Sequence, residues 1–202
     1  MSKDIDLSRY KKYFTIRYFL IISICVLSFF VFTKLRRLFF ILILVSLNCG
    51  FGYLKRLLFI NLKLDSIITK SINLRHIANA VELITFTTVL SSYAFDYLAG
   101  MVVGGLSIIG TYIFERRVSR YSLATVPLYI LLGYLAFLLK PCLIDIRALG
   151  IILSLVYNII INSILFTFFR AKLVKMGSFS VVNILLNVYL FTNIAPLLIK
   201  II

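Results

Sequence analysis

Acidic residues are scarce in this 202-residue chain: seven Asp and Glu stand against 22 Lys and Arg, a net charge of +15. Histidine occurs once, as His76, and Cys25, Cys49 and Cys142 share no short spacing. A structural zinc site or a disulfide framework needs clustered ligands, so neither is expected, and cysteine usage does not reveal the redox compartment. The chain also lacks an HExxH pair, a Gly-rich loop ending in lysine, acidic pairs with phosphotransfer spacing and the members of a Ser/His/Asp set. A lone His76 beside Arg75 does not make a general base. The expectation is a non-enzyme with no metal and no cofactor.

What remains is apolar. Hydrophobic residues make up 62% of the chain, charged residues 14%, and the mean hydropathy is +1.06. A soluble domain is about half apolar and about a quarter charged, and folded monomers of this size bury only about 70% of their chain's surface. The excess must face lipid. The fold class expected is all-α: a polytopic integral membrane helical bundle with six to seven transmembrane helices and a basic interfacial amphipathic helix. The whole chain reads as one transmembrane domain, with residues 1–75 holding two spans and the amphipathic stretch, and residues 76–202 a five-helix Gly- and Asn-bearing bundle.

A bilayer core takes about 20 apolar residues per helix, and seven segments qualify: 17–33, 38–54, 76–94, 98–114, 121–139, 148–169 and 179–199. The first follows a basic region without a small-x-small cleavage site, so it reads as an uncleaved span. The first, second and fourth are short, and the first two alternatively form a shallow hairpin. Residues 54–75, LKRLLFINLKLDSIITKSINLR, interleave apolar positions with Lys55, Arg56, Lys63, Asp65 and Lys70. Such a stretch lies in the headgroup plane; the plain alternative is a solvated loop. With seven crossings, 16 of the 22 basic residues fall on the face that carries the N-terminus. The positive-inside rule then puts the N-terminus in the cytoplasm of a multi-pass protein of the cell membrane. Basic runs between apolar segments suit anionic headgroups rather than nucleic acid, and Lys55, Arg56, Lys63, Arg116 and Arg117 are the expected headgroup contacts.

Glycines crowd one segment, FDYLAGMVVGGLSIIGTYIFERR at 95–117. In water each would cost a helix roughly 1 kcal/mol against alanine. In lipid, helices associate by close packing, which small residues permit. Gly100-x-x-x-Gly104 is such a pair, as is Ser46/Gly50 in the second span; these four are read as helix-packing or partner-docking positions. Pro196 is placed to kink the last helix.

Six polar residues are candidate ligand-binding groups. Glu82 near the start of the third span is an intramembrane carboxylate, by default a functional candidate. It alternatively reaches interfacial water or pairs with a basic residue. Asp96 sits in a tight turn among Tyr93, Phe95 and Tyr97, where capping of the next helix is the simpler reading. Asn158/Asn162 and Asn183/Asn187 are four apart on the last two spans. Amides facing one another across membrane helices hydrogen-bond for about 0.6 kcal/mol each, or line a polar cavity.

Three stretches, VELITFTTVLSSYAFDYLAGMVVGGLSII (81–109), SLATVPLYILLGYLAFLL (122–139) and LGIILSLVYNIIINSILF (149–166), run in a suggestive order. An acidic-start helix leads to an aromatic turn, a Gly-rich helix, a helix with Gly133 and an Asn-bearing helix. This resembles the substrate-binding membrane subunit of energy-coupling-factor vitamin transporters and the related rod-shape-determining membrane subunit of bacteria. The resemblance covers about the last 120 residues. It implies a six-helix bundle with a small-molecule cavity near one face, docking on an ATP-driven partner through Gly100/Gly104 or Ser46/Gly50.

Function is expected to be solute binding or transport, with a membrane protein partner and a small polar ligand. The alternative is a scaffold or assembly subunit of a larger membrane complex. A lipid-modifying enzyme would require Glu82, Asp96 or Glu115 to meet Arg116 and Arg117 at one headgroup-level site.

Overall fold

The computed structural model describes residues 33–61, 80–115, 122–142, 145–170 and 173–202. All regular structure among them is helical: α1 Thr33–Asn61, α2 Ile84–Ala94, α3 Tyr97–Glu115, α4 Ser122–Leu139, α5 Ile146–Phe169, α6 Leu173–Tyr189 and α7 Ala195–Ile201, with a π-helical turn, Leu190–Ile194, joining the last two. Residues Met1–Leu42 and Ile43–Ile202 form separate units; the account below concerns the second. The expected first span, Lys63, Arg75, His76, Arg116 and Arg117 lie outside the described residues, as does most of the expected amphipathic stretch.

Among the described residues, four stretches are long and apolar enough to cross a membrane: Arg36–Leu57, Tyr97–Glu115, Ile146–Phe169 and Met176–Ile201. A fifth, Ala124–Leu139, is apolar but shorter. Their surfaces are inverted relative to a protein in water. On α3 the buried face is Ala99, Gly100, Val103, Gly104, Gly105, Ser107, Ile108 and Thr111. Leu98, Val102, Leu106, Ile109 and Ile113 of the same helix are exposed. Small and polar groups face inward while large apolar ones face outward, which is the pattern of a chain solvated by acyl chains. This is the character of a membrane protein.

The third expected span differs most from its sequence reading. Ala80 is helical, residues 81–83 are not, and α2 begins only at Ile84. Eleven residues rise about 16 Å, well short of the roughly 30 Å of a hydrocarbon core. Nine consecutive residues of α2, Ile84 through Ser92, are buried, so this helix is wrapped on all sides. Five of the nine are Thr or Ser; four of their hydroxyls have hydrogen-bond partners, and Thr88 Oγ1 has none. Thr87 Oγ1 bonds the Leu83 and Ile84 carbonyls, both at 3.1 Å, and Ser91 Oγ the Thr88 carbonyl at 3.0 Å. Ser92 Oγ crosses to the Gly133 carbonyl at 2.6 Å.

The glycines of α3 answer to three different neighbours. A Cβ on Gly100 would lie 2.5 Å from Ser92 Cβ of α2 and 3.1 Å from Gly133 Cα of α4. One on Gly104 would lie 2.7 Å from the Tyr129 carbonyl and 3.0 Å from Thr88 Oγ1; one on Gly110 would collide with Cys49 Sγ of α1. Gly100 and Gly104 thus pack against α2 and α4 inside the chain, the helix-packing role of the two that the sequence offered. Ser46 and Gly50 are exposed on α1, and nothing lies within 4 Å of a Cβ at Gly50.

The last membrane segment passes through the π turn just before Pro196. Proline at 196 has no N–H to donate back one helical turn. The turn just before it widens and carries Phe191, fully buried, onto Gly150 of α5 and into ring contact with Phe86 of α2 at 5.1 Å.

Candidate functional site

Non-helical backbone at membrane depth is tolerated only where protein buries it or where it lines a wet cavity. Residues 81–83 are such a segment, and the side chains around them supply what the missing helical turn would have. The Ala80 carbonyl accepts from the Glu82 N–H at 3.0 Å and from Asn183 Nδ2 of α6 at 3.2 Å. The break is therefore held open by an amide from the far end of the sequence.

Glu82 projects from this break, half-buried, and its Oε1 accepts from the Tyr129 hydroxyl of α4. The same hydroxyl lies 3.5 Å from Thr85 Oγ1. Tyr129 is fully buried, and its ring lies against that of Tyr157 of α5 at 4.7 Å between centroids. Among the described residues, Tyr129 is the side-chain hydrogen-bond partner of Glu82. On the same end of the bundle, Tyr112 of α3 and Thr125 of α4 share a hydrogen bond at 2.5 Å. Arg56 Nη1 bonds the Phe114 carbonyl near the end of α3 at 3.2 Å, and Lys55 Nζ stands 5.1 Å over the Phe51 ring. These two cations are seated on the protein's own carbonyl and ring.

Beneath the break lies an amide cluster. Asn158, Asn183 and Asn187 are all buried. Asn158 Nδ2 donates to the Ser154 carbonyl at 2.8 Å and to Asn183 Oδ1 at 3.0 Å. Asn187 Nδ2 donates to the Asn183 carbonyl at 2.9 Å and to Asn183 Oδ1 at 3.2 Å. Asn162 stands apart from this cluster, its Nδ2 on Ser180 Oγ at 2.6 Å.

Asp96 is at the opposite end of α2 from Glu82, and its Oδ1 accepts from the Ala99 N–H at 2.8 Å. It caps α3, the simpler of its two readings, and the whole length of α2 separates it from Glu82. At that end Lys140 Nζ ties the close of α4 to the Tyr93 carbonyl at 2.7 Å.

Sequence reasoning missed Tyr129, Thr85, Ser154 and Asn48. Asn48 of α1 is buried and donates both amide hydrogens, to Thr87 Oγ1 and Ser107 Oγ, each at 2.8 Å. An asparagine in the middle of an apolar run was the available signal for it. For Tyr129 the signal was a hydroxyl on a span neighbouring an intramembrane carboxylate.

The arrangement offers a carboxylate at a helix break, a buried tyrosine hydroxyl that orients it, and a neutral amide cluster behind. Compared with family models, curated proteins and solved structures, the chain matches none.

Proposed function

We propose that this chain is a non-catalytic solute-binding or transport subunit of the cell membrane. It crosses six to seven times with its N-terminus in the cytoplasm and works with a membrane protein partner. The observation that carries this reading is Glu82 at the break in residues 81–83. Discontinuous helices near the middle of transporter bundles expose backbone groups and charged side chains to substrate. An ionisable group held there costs about 2.5–3.5 kcal/mol even on the milder insertion scales, a cost that binding chemistry explains better than packing. The ligand expected is small and polar, held by Glu82 with the amide side chains of Asn158, Asn183 and Asn187 behind it. The resemblance to the substrate-binding subunits of energy-coupling-factor transporters points the same way.

The test is a thermal-stability screen of the purified chain in lipid nanodiscs against small polar solutes. A ligand at 100 times its Kd stabilises the native state by about 2.7 kcal/mol. One solute class should raise the Tm, and Glu82→Gln should abolish that rise. A screen in which no solute acts, or in which Glu82→Gln responds like the parent, overturns the reading.

A second reading, a scaffold or assembly subunit, is favoured by the exposed Ser46/Gly50 ridge on α1. It predicts a stoichiometric partner recovered from native membranes and lost in Gly50→Leu.

A further inference from the structure

We propose that Tyr97, Tyr134 and Phe137 form an aromatic rim seated in the phospholipid headgroup layer, and that this rim sets how deep the bundle lies in its bilayer. All three side chains are exposed. Tyr97 opens α3, and its ring meets those of Tyr134 and Phe137 of α4 at 6.2 Å and 5.6 Å. The two helices run antiparallel, with Gly100 against Gly133 and Gly104 against the Tyr129 carbonyl. The start of α3 and the close of α4 therefore lie at one level.

The side chains themselves select the partner. Against acyl chains aliphatic residues suffice, and the exposed residues farther along α3 are Val102, Leu106 and Ile109. Tyrosine combines an apolar ring with a hydroxyl that seeks a polar neighbour, which suits the boundary between hydrocarbon and headgroups. Charge returns at the same level. Asp96 precedes Tyr97 and caps α3. Lys140 follows the end of α4, its Nζ bonded to the Tyr93 carbonyl at 2.7 Å and 4.9 Å from the centre of the Tyr93 ring.

The distances agree with the chemistry. No charged residue stands between Asp96 and Glu115. The 19 residues of α3 rise about 28 Å, close to the roughly 30 Å of a hydrocarbon core. At the far end Phe114 and Tyr53, both exposed, make a second ring contact at 6.4 Å, where Arg56 is bonded to the Phe114 carbonyl. An aromatic level at each end of an uncharged length marks the two surfaces of a membrane. The rim also gives the helix break a depth. Ile84 and Ala94 are the ends of α2, about 15 Å apart, and α2 leads back from the rim. Residues 81–83 therefore stand near half the thickness of the core. The inference goes beyond the solute reading and does not need it, since it concerns where Glu82 stands and not what Glu82 holds.

The chain has no tryptophan, so a single introduced one reports its own depth. Tyr97→Trp, Tyr134→Trp and Leu106→Trp are made separately in the full chain and reconstituted in phosphatidylcholine vesicles. The lipid is brominated either near the glycerol or near the methyl end of its acyl chains, and bromine quenches tryptophan emission on contact. Tyr97→Trp and Tyr134→Trp should lose more emission to the shallow bromines. Leu106→Trp, about 14 Å farther along α3, should lose more to the deep ones. Two rim positions keep the test decisive if one variant fails to fold. A rim tryptophan quenched in the same order as Leu106→Trp overturns the proposal, because the rings then lie in hydrocarbon. A rim tryptophan that neither lipid quenches overturns it as well, because the rings then face water or another protein. Glu82→Gln decides the solute reading and the tryptophans this one, so the two fail separately.

Discussion

Gly133 and Gly100 meet backbone to backbone: a Cβ placed on Gly133 would fall against the carbonyl carbon of Gly100 and the amide nitrogen of Met101. Two helices approach this closely only where neither carries a side chain. The contact also brings the Gly133 carbonyl to Ser92 Oγ at 2.6 Å, so one close approach fastens three helices. Lipid offers no hydrophobic reason for such helices to associate, and the glycines supply the dispersion contact instead.

Gly133→Ala is therefore expected to destabilise strongly, because backbone rather than a movable side chain blocks the new methyl. Overpacking of this kind costs about 1–3 kcal/mol. Gly50→Ala and Gly177→Ala, with nothing within 4 Å of the added carbon, should be neutral or stabilise by up to about 1 kcal/mol through helix propensity. Thermal unfolding in one detergent would rank the three. If Gly133→Ala unfolds no lower than Gly50→Ala, the packing account of the glycines is wrong.

Gly110 makes a different prediction, since what blocks its Cβ is the sulfur of Cys49. Gly110→Ala should lower the Tm, and Cys49→Ala in the same chain should recover much of the loss by removing that sulfur. Contacting residues couple by about 0.5–3 kcal/mol in such cycles. Strict additivity of the two changes would mean that α1 and α3 do not pack through these positions.

Asn48 is the polar node between α1, α2 and α3. Asn48→Ala deletes two bonds, each worth about 0.6 kcal/mol on average in a membrane interior and at most about 1.7. The expected loss is about 1–2 kcal/mol, with a matching rise in protease sensitivity of α1. A Tm unchanged by Asn48→Ala would show that Thr87 and Ser107 satisfy themselves without it.

The membrane character was legible in composition, because no water-soluble arrangement hides that much apolar surface. Helical spacing marked Gly100/Gly104 and the asparagine pairs as single faces. It did not reveal their partners, since spacing within one helix carries no information about which helix lies opposite. Asn183 finds Ala80, 103 positions away, and Asn162 finds Ser180 rather than another amide. The break at residues 81–83 was illegible for a related reason. Val81, Glu82 and Leu83 include no proline or glycine, and what stabilises the interruption comes from Asn183 and Tyr129. Hydropathy reads such a stretch as one continuous span. Asn48 escaped notice although the rule applied to Asn158 covers it equally, because attention to pairs at four-residue spacing passes over a single amide.

The bond from Tyr129 to Glu82 invites a sharper measurement. The hydroxyl comes from a fully buried ring packed on Tyr157, so it cannot swing away, and the carboxylate stands on the irregular backbone of residues 81–83. A hydrogen bond to a charged group contributes about 1.5–3 kcal/mol. Tyr129→Phe should destabilise by about that amount, as it leaves the carboxylate without its donor in surroundings of low polarity. Glu82→Gln should cost less, because a neutral amide oxygen still accepts from the tyrosine. In the double variant the phenylalanine should cost less than it does alone, since no carboxylate then remains to be stranded. The unfolding free energies of the four chains close a cycle whose coupling term should exceed about 0.5 kcal/mol. A coupling near zero would mean that the two groups do not act on each other in the folded chain. The helix break would then lose the contact that fixes where its carboxylate points.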